Sequence, residues 1–477
     1  MKLRLGAWVC GCGASLFVGG AAAQNLADAA TTATTADGAY ISWREHLVDD
    51  EAHAGIALRG GDGLAAGDLD GDGYLDVVAV YESDDQYDGA LEGHLRIAFG
   101  SADPDRWTLV TLAEGPEAAA AEDVAIGDIN GDGLPDIVAA CELAHLIYFE
   151  NPGKGARTAR WPRVMPSKTR DRGSFIRVFL ADFNRDGRVE IVTPNKGAQD
   201  PTRVRQEPKE ISFFELRGRP LDDASWTEHV LTRVPWPINS QPVDLDGDGD
   251  LDVVAGSVAE RRMLWFENRS GGAGFDFAEH RVEVVTTKEG VAPVVVNGFN
   301  TEYVDLSGDG RLDVVTFAAN GLLGPRLVWL EQPAAPKSAW EAHMVGSTEP
   351  DNLVGIVASD IDGDGDTDVF TGGYSGGSRT SDDPPPVAAL GRLAWFENEG
   401  ERGFVRHDVS RRQRGMFDKF IARDMDGDGD VDFLGTRGNS GPYDGLFWLE
   451  QMRSREPRPA FERARATESP EIPLPAR

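Results

Sequence analysis

The chain has 477 residues, 41% of them hydrophobic, which is enough to bury a large core and, by length alone, would suggest about three domains. Its 80 acidic residues against 47 basic ones give a formal charge of −33. Such a surface repels nucleic acid, and the sequence contains no basic cluster large enough to bind it. The 11 Trp and 21 Phe residues argue against a disordered acidic chain, so the excess carboxylates point to bound cations.

The first 23 residues have the pattern of a secretory signal peptide. Lys2 and Arg4 form a basic start, an apolar stretch follows, and the alanines at 21–23 fit a cleavage site. A lipoprotein signal at Cys12 fits less well, because most of the apolar stretch follows that residue. We therefore expect an exported chain, secreted or held in the periplasm or at the cell surface. The mature chain should have no transmembrane segment, since no later stretch is apolar enough to span a bilayer.

Three parts follow the signal peptide. Residues 24–38, rich in Ala and Thr, are predicted as a flexible lead-in, and residues 39–451 as one repeat domain. Residues 452–477, rich in Arg, Pro and Glu, are predicted as a disordered tail. Cys141 is the one cysteine beyond the signal peptide, so no internal disulfide can form, and its apolar neighbours predict an inert buried thiol.

Seven segments share one acidic pattern, of which DLDGDGYLD at residues 68–76 is the first. Their starts are separated by 60, 54, 62, 61, 55 and 64 residues. Such a period marks an array of similar supersecondary units rather than unrelated domains. The segments begin at Asp68, Asp128, Asp182, Asp244, Asp305, Asp360 and Asp424.

Two further elements recur in each repeat. One has the form of LWFEN (264–268) or LVWLEQ (327–332), and the other places an aromatic residue three positions before His or Val, as in Trp226 and His229. With the strand that enters each loop and the β-rich stretch that leaves it, each repeat has four strands. Seven such sheets predict an all-β fold, a seven-bladed β-propeller. Because the copy that starts at Trp43 precedes the first loop, the N-terminal strand should complete the last blade and close the ring.

Each acidic loop offers oxygen ligands at fixed positions. Positions 1, 3, 5 and 9 carry short side-chain oxygens, position 6 is a glycine that permits a sharp turn, and position 7 would contribute its backbone carbonyl. Calcium takes six to eight such oxygens, so the sequence predicts up to seven calcium ions. The predicted ligands of the first four loops are Asp68, Asp70, Asp72, Tyr74 and Asp76; Asp128, Asn130, Asp132, Leu134 and Asp136; Asp182, Asn184, Asp186, Arg188 and Glu190; and Asp244, Asp246, Asp248, Asp250 and Asp252. Those of the last three are Asp305, Ser307, Asp309, Arg311 and Asp313; Asp360, Asp362, Asp364, Asp366 and Asp368; and Asp424, Asp426, Asp428, Asp430 and Asp432.

Two other interpretations of the loops fit less well. An EF-hand needs Glu at position 12 between two helices, whereas these loops close at position 9 between strands. Simple Asp-Gly turns need one or two such residues, not four oxygens at fixed spacing, and without a cation the carboxylates would repel one another. The Asp182 loop should bind calcium more weakly, because Arg185 and Arg188 reduce its negative charge.

The loops resemble the D-x-D-x-D-G-x-x-D signature of the FG-GAP/VCBS repeat family, which forms integrin-like propellers. The resemblance covers residues 40 to 451. It implies calcium-binding proteins that are secreted or lie at the cell surface, often in adhesion or carbohydrate contexts, and also some polysaccharide lyases. Phe-Gly occurs at the matching strand only as Phe99-Gly100, so the subfamily and the partner stay open.

The longer loops on the face opposite the acidic loops carry basic residues and tyrosines. Together they could form a pocket for an anionic ligand, although ordinary solvated loops are the favoured explanation for any single residue. The residues of this predicted ligand face are Arg172, Lys196, Arg203, Tyr374, Arg414, Lys419, Arg437 and Tyr443.

Three functions fit these features. The first is a non-catalytic module that binds a protein or a polysaccharide at the cell surface. The second is a lyase-like enzyme in which Arg172 and Arg414 neutralise a substrate carboxylate, although no base stands out and no histidine has the setting of a catalytic or zinc-binding residue. The third is a structural module for envelope assembly. The repeated histidines and tryptophans are predicted to be structural in each case.

Overall fold

The computed structural model describes residues 26–83, 90–197, 201–272, 274–287, 293–319, 321–375 and 390–473. Its strands form seven antiparallel sheets arranged in a ring, and neighbouring sheets pack against each other. This is the predicted seven-bladed β-propeller, and we number the blades 1 to 7 in the order of their acidic loops. No helix in the described ranges is long and apolar enough to cross a membrane. The predicted signal peptide lies outside the described residues.

Each blade has four main strands, which we number from first to fourth in pairing order. Blades 1 and 2 contain Gly61–Gly67, Asp76–Tyr81, His94–Phe99 and Thr108–Glu114, then Ala121–Gly127, Asp136–Cys141, Leu146–Phe149 and Arg163–Val164. Blades 3 and 4 contain Ser174–Phe175 with Phe179–Ala181, Glu190–Gly197, Pro208–Leu216 and Trp226–Pro235, then Pro237–Val243, Asp252–Ser257, Arg262–Asn268 and Phe277–Val282. Blades 5 and 6 contain Glu302–Val304, Asp313–Ala318, Arg326–Glu331 and Trp340–Ser347, then Asn352–Ser359, Asp368–Tyr374, Gly391–Asn398 and Phe404–Arg412. Blade 7 contains Phe420–Arg423, Asp432–Arg437, Gly445–Ser454 and Tyr40–Asp50.

The remaining described elements are short. Val284–Val285 adds to blade 5 and Phe461–Glu462 to blade 7 as parallel strands. The α-helices are Glu51–Ala54 and Pro201–Val204, and the 3-10 turns are Gly115–Ala118, Gly153–Gly155, Asp223–Ser225, Gly400–Arg402 and Gly441–Tyr443.

The N-terminal strand closes the ring. Tyr40–Asp50 pairs antiparallel with Gly445–Ser454 and places Trp43 opposite Gln451. The fourth strand of blade 7 therefore comes from the opposite end of the chain, as the order of the sequence elements predicts. This pairing leaves the third strand of blade 7 without an open edge.

The second strand of each blade explains the runs of valine and alanine that follow the loops. Asp76–Tyr81 and Asp252–Ser257 are buried along their whole length, because neighbouring blades cover both faces of these strands. Cys141 ends the equivalent strand of blade 2, where burial raises the pKa of its thiol to about 12 and makes it the predicted inert residue. Seven tryptophans fill the core, as predicted: Trp43, Trp161, Trp226, Trp265, Trp340, Trp395 and Trp448.

The segments outside the ring differ from the sequence prediction. Within the predicted lead-in, Ala27 and Ala33 are buried against blades 6 and 7. Within the predicted tail, Phe461 is buried and pairs with Trp43 of the N-terminal strand. The described part of both segments is therefore ordered against the propeller. The prediction of disorder was wrong because it counted charges and small residues without their partners.

Glutamates of the tail enter a group of buried arginines. Arg412, fully buried, has Nη1 2.9 Å from Glu468 and Nη2 2.9 Å from Glu45, and Arg437 has Nη1 2.8 Å from the same oxygen of Glu468. Burial alone would lower the pKa of Arg412, but the carboxylates of Glu45, Glu468 and Glu471 outweigh it and raise that pKa. The tail thus neutralises charges that blades 6 and 7 bury.

We expect Glu468→Ala to destabilise the protein by about 3–5 kcal/mol, because it removes one partner from two buried arginines. Glu462→Ala is the matched control, since Glu462 also lies in the tail and pairs with Arg44 but is 60% exposed, and an exposed pair contributes only about 0–1 kcal/mol. Urea unfolding at constant calcium measures both variants. Equal effects of the two substitutions would contradict a structural role of the buried pairs.

Asp444 provides a second connection across the closure of the ring. It is fully buried between blade 7 and the chain that enters blade 1, and it accepts hydrogen bonds from the backbone N of Gly60 at 2.9 Å and of Ser440 at 2.6 Å. Burial raises the pKa of Asp444 to about 7, from 3.8 for an ordinary aspartate, although the two hydrogen bonds lower it. The folded state therefore holds a proton that the unfolded chain releases.

This stabilisation is complete below about pH 4 and is lost as the pH rises through about 7. Asp444→Asn stays neutral at every pH, so the melting temperature of the variant relative to the unmodified protein should rise between pH 5 and pH 8. Asp276→Asn, at a side chain that is 63% exposed, should show no such trend. Thermal melts of all three proteins at both pH values measure the difference, and parallel melts would contradict the shifted pKa.

Candidate metal-binding loops

Each acidic loop joins the first strand of its blade to the second, and its carboxylates bind the loop's own backbone. In blade 1, Asp68 accepts hydrogen bonds from the N–H groups of Gly71 and Gly73 at 2.7 and 2.9 Å, and Asp72 accepts one from Tyr74 at 2.9 Å. Gly73 has φ of 88°, a conformation that a side chain strains, which explains the glycine at position 6. The loop is preorganised, and its carboxylates keep further lone pairs for a cation.

The predicted ligands converge most clearly in the loops of blades 1, 4, 6 and 7. These are the loops with aspartate at all four side-chain ligand positions. In each of them, three carboxylate oxygens lie within 4.8 Å of one another. The converging residues are Asp68, Asp70 and Asp76; Asp244, Asp246 and Asp248; Asp360, Asp362 and Asp368; and Asp424, Asp426 and Asp432. Hard oxygens at this spacing fit calcium.

The carboxylate at position 9 is the first residue of each second strand and is buried. Burial raises the pKa of Asp252 to about 7 and of Asp368 to about 8, and the loop carboxylates Asp246 and Asp362 add to the shift. The loops therefore concentrate negative charge beyond what their own hydrogen bonds neutralise. A divalent cation favours the ionised carboxylates and would offset this repulsion.

The loops of blades 2, 3 and 5 have fewer carboxylates. Asn130 donates a hydrogen bond to Asp132 at 3.1 Å, and Asn184 donates one to Asp186 at 3.3 Å. In blade 5, the guanidinium of Arg311 pairs with Asp309. These polar partners occupy acceptor sites on the loop carboxylates.

Two arginines reach the loops from neighbouring blades. Arg157 of blade 2 pairs with Asp70 and Asp72 of blade 1, with Nη2 2.6 Å from Asp72. Arg185 in the loop of blade 3 lies 2.7 Å from Asp250 of blade 4, so its charge is directed to the next loop. Neither contact could be predicted from the sequence, because a motif aligned within one repeat contains no information about the neighbouring blade.

In several blades, a side-chain amide at the end of the third strand donates a hydrogen bond to the acidic loop of the preceding blade. Asp252 accepts hydrogen bonds from the backbone N of Leu245 at 3.2 Å and of Asn268 at 2.7 Å. The side-chain amide of Asn268 then donates to the carbonyl of Phe183, in the loop of blade 3, at 2.9 Å. The same inter-blade bond is made by Asn151, Gln332 and Gln451. This geometry explains why the third-strand motif ends in Asn or Gln.

The repeated histidines have structural roles, as predicted. His229 stacks on Phe213 with ring centroids 4.9 Å apart, and its Nε2 lies 2.8 Å from Glu215. The glutamate of the third-strand motif thus orients the histidine of the fourth strand. Equivalent pairs are His46 with Glu450, His280 with Glu267, His343 with Glu331 and His407 with Glu397.

The structure does not assemble the predicted ligand face into an open basic pocket. Five of its bases each pair with a carboxylate: Arg172 with Glu228, Lys196 with Glu142, Arg203 with Glu207, Lys419 with Asp123 and Arg437 with Glu468. Arg414 is buried beside Ser469 of the tail, Tyr443 lies under the guanidinium of Arg437, and Tyr374 is half-buried. The acidic chain thus supplies internal partners for these bases, and the anion pocket stays a prediction. Residues 198–200 and 376–389, which lie close in sequence to Lys196 and Tyr374 of this face, are outside the described residues.

Part of the chain matches a known repeat family. The FG-GAP-like repeat family matches residues 68–139, 128–193 and 244–316. No curated protein matches the chain. Among solved structures, a lectin of Agrocybe aegerita that recognises non-reducing terminal N-acetylglucosamine is 14% identical over 85% of this chain and 89% of its own, with a TM-score of 0.43. BBS1N in complex with ARL6DN is 10% identical over 87% and 98%, with a TM-score of 0.44. The chain therefore contains FG-GAP-like repeats over residues 68–193 and 244–316, within a seven-bladed β-propeller.

Proposed function

We propose that the chain is a secreted, calcium-binding propeller that acts as a non-catalytic module for binding a protein or a glycan. The convergence of three carboxylate oxygens within 4.8 Å in each of four loops carries this proposal. Calcium would be held there by side-chain oxygens at positions 1, 3, 5 and 9 and by the carbonyl at position 7. The signal-peptide pattern of residues 1–23 supports export.

Calcium bound in these loops stabilises the whole ring rather than one turn. The loop of blade 4 shares Asp252 with the third strand of its own blade, and the carbonyl of Leu245 receives the inter-blade bond from Gln332. A cation that fixes the loop therefore also fixes the position of the next blade. Such a rigid scaffold suits a binding module, in which irregular loops carry the recognition residues.

The lyase alternative is less well supported than the binding module. In that alternative, Arg172 and Arg414 would neutralise a substrate carboxylate. Arg172 has Nη1 2.7 Å from Glu228, and Arg414 is 1% exposed. Neutralisation of a substrate by these residues would first need the loss of their present partners.

We expect chelation to lower the melting temperature, because an ion that binds only the folded state at 100 times its dissociation constant stabilises it by about 2.7 kcal/mol per site. Metal analysis of the purified chain should find bound calcium, and the all-aspartate loops should retain it at the lowest free concentrations. An unchanged melt together with a metal-free chain would contradict the proposal.

A pair of variants separates strong loops from weak ones. Asp360→Asn alters a loop with four ligand carboxylates, and Asp182→Asn alters a loop with three in which Asn184 already takes one ligand position. Asp360→Asn should remove one tightly bound ion and reduce the calcium-dependent melting shift, and Asp182→Asn should reduce that shift less. Calcium titration calorimetry on both variants measures the difference, and the reverse order would be evidence against charge as the determinant.

A further inference from the structure

One position of the repeat differs in burial between blades. The third-strand residue that pairs with the histidine or valine of the fourth strand is at most 1% exposed in six blades: Ile97, Tyr148, Phe213, Trp265, Trp395 and Trp448. In blade 5 the equivalent residue is Trp329, paired with His343, and it is partly exposed. An aromatic side chain that its own repeat normally buries is thus accessible at one place in the ring.

The neighbouring blade 6 is the reason why Trp329 is partly exposed. In blades 3 and 4 this residue is covered by the connection between the third and fourth strands of the next blade: Phe275 packs on Phe213 with centroids 4.8 Å apart, and Lys337 lies 6.0 Å from the centre of Trp265. In blade 6 this connection has only five residues, 399–403, and in blades 1 to 5 it has eight or more. It therefore leaves Trp329 uncovered.

The inter-blade amide bond also changes here. Asn398 of blade 6 occupies the position of Asn268 and Gln332, yet it is only half-buried, and within the described structure its amide makes no bond to the carbonyl of Leu306 in blade 5. Its Oδ1 instead accepts a hydrogen bond from the backbone N of Gly400 at 3.1 Å. Blades 5 and 6 are thus less tightly joined at this point than the pairs that keep the bond.

A cavity of about 820 Å³ opens between the two blades. One wall is apolar and contains Trp329, stacked on His343 at 4.3 Å between centroids, together with Phe404 and Met344, which is 44% exposed. Three carboxylates also line the cavity, those of Glu341, Asp366 and Glu401, and none of the lining residues that the structure describes is Lys or Arg. The site is therefore complementary to a positive charge attached to an apolar body.

We propose that this groove binds an amino-sugar glycan, with the apolar face of a sugar ring against the wall formed by Trp329 and the protonated amine at the three lining carboxylates. The inference rests on the proposed function of a binding module and names its site and ligand class. The volume accommodates more than one sugar ring, and the aromatic wall supplies the contact that pyranose C–H groups make with ring faces. An anionic glycan is disfavoured, because three carboxylates without a lining base would repel it.

The groove also borders two of the candidate calcium loops. Ser307 and Gly308 of the blade 5 loop and Asp366 of the blade 6 loop line it. Calcium in these loops would fix both sides of the groove, so glycan affinity should fall when the protein is chelated. Only calcium in the loops of blades 5 and 6 should affect glycan affinity in this way, since the other acidic loops lie in other blades.

The test is calorimetry of the full chain in calcium with three oligosaccharides: glucosamine oligomers, their N-acetylated counterparts, and oligogalacturonate. Glucosamine oligomers should bind, N-acetylated ones at least tenfold more weakly, and oligogalacturonate not at all. Equal affinity for the acetylated oligomers would overturn the role of charge. Oligolysine is titrated as a fourth ligand, a cation without a sugar ring. If it binds as tightly as the glucosamine oligomers, the assignment of a sugar ligand is overturned.

Variants locate the site. Glu401→Gln should weaken glucosamine-oligomer binding about fivefold, which is the loss of roughly one exposed charge pair, whereas Glu399→Gln on the same connection but outside the groove should not. Trp329→Ala should reduce affinity at least tenfold, and because its burial is only partial, its melting temperature and calcium uptake serve as the check on folding. Unchanged binding in both groove variants would overturn the inference. Calcium uptake, measured on the same samples, tests the proposed function separately.

Discussion

The buried carboxylate that begins each second strand is the contact on which the rest of this propeller depends. In blade 6, Asp368 accepts hydrogen bonds from the backbone N of Ile361 in the acidic loop and of Asn398 at the end of the third strand, at 2.9 and 2.7 Å. One side chain thus fixes the loop, the strand that follows it and the strand beyond. Its burial in an apolar sheet raises its pKa to about 8. A cation in the loop would relieve the same electrostatic cost that the fold imposes.

Ring closure depends on charges of a different kind. Tyr40–Asp50 supplies backbone hydrogen bonds to blade 7, and the tail then covers this strand with Phe461–Glu462. Glu468 and Arg412, both fully buried, complete the contact. Burying such a pair has a desolvation cost that close geometry must offset, so it adds more to the uniqueness of the closed ring than to its net stability. The closure of the ring therefore involves both ends of the chain.

The features that repeat along the chain could be predicted from the sequence alone. Three elements recur at one spacing: the seven acidic loops, the Asn or Gln after the third strand, and the Trp or Phe of the fourth strand. The number of blades, the strand order and the ring closure could therefore be predicted from them. The acidic loops could also be ranked, because the all-aspartate loops are the ones in which carboxylates converge. Repetition makes each local signal an independent test of the same fold.

Contacts that occur once could not be predicted in this way. Arg172 was assigned to an open face, but Glu228, on the fourth strand of the same blade, lies 2.7 Å from it, and nothing in the sequence pairs these two residues. The tail glutamates likewise have no counterpart in any repeat. Trp329 is an intermediate case. The sequence shows that the connection at 399–403 is short. That shortness indicates an exposed Trp329 only once the fold shows that this connection lies over the neighbouring blade. In a propeller built from near-identical units, binding specificity has to come from such departures, since a site made only of repeated residues would occur in every blade.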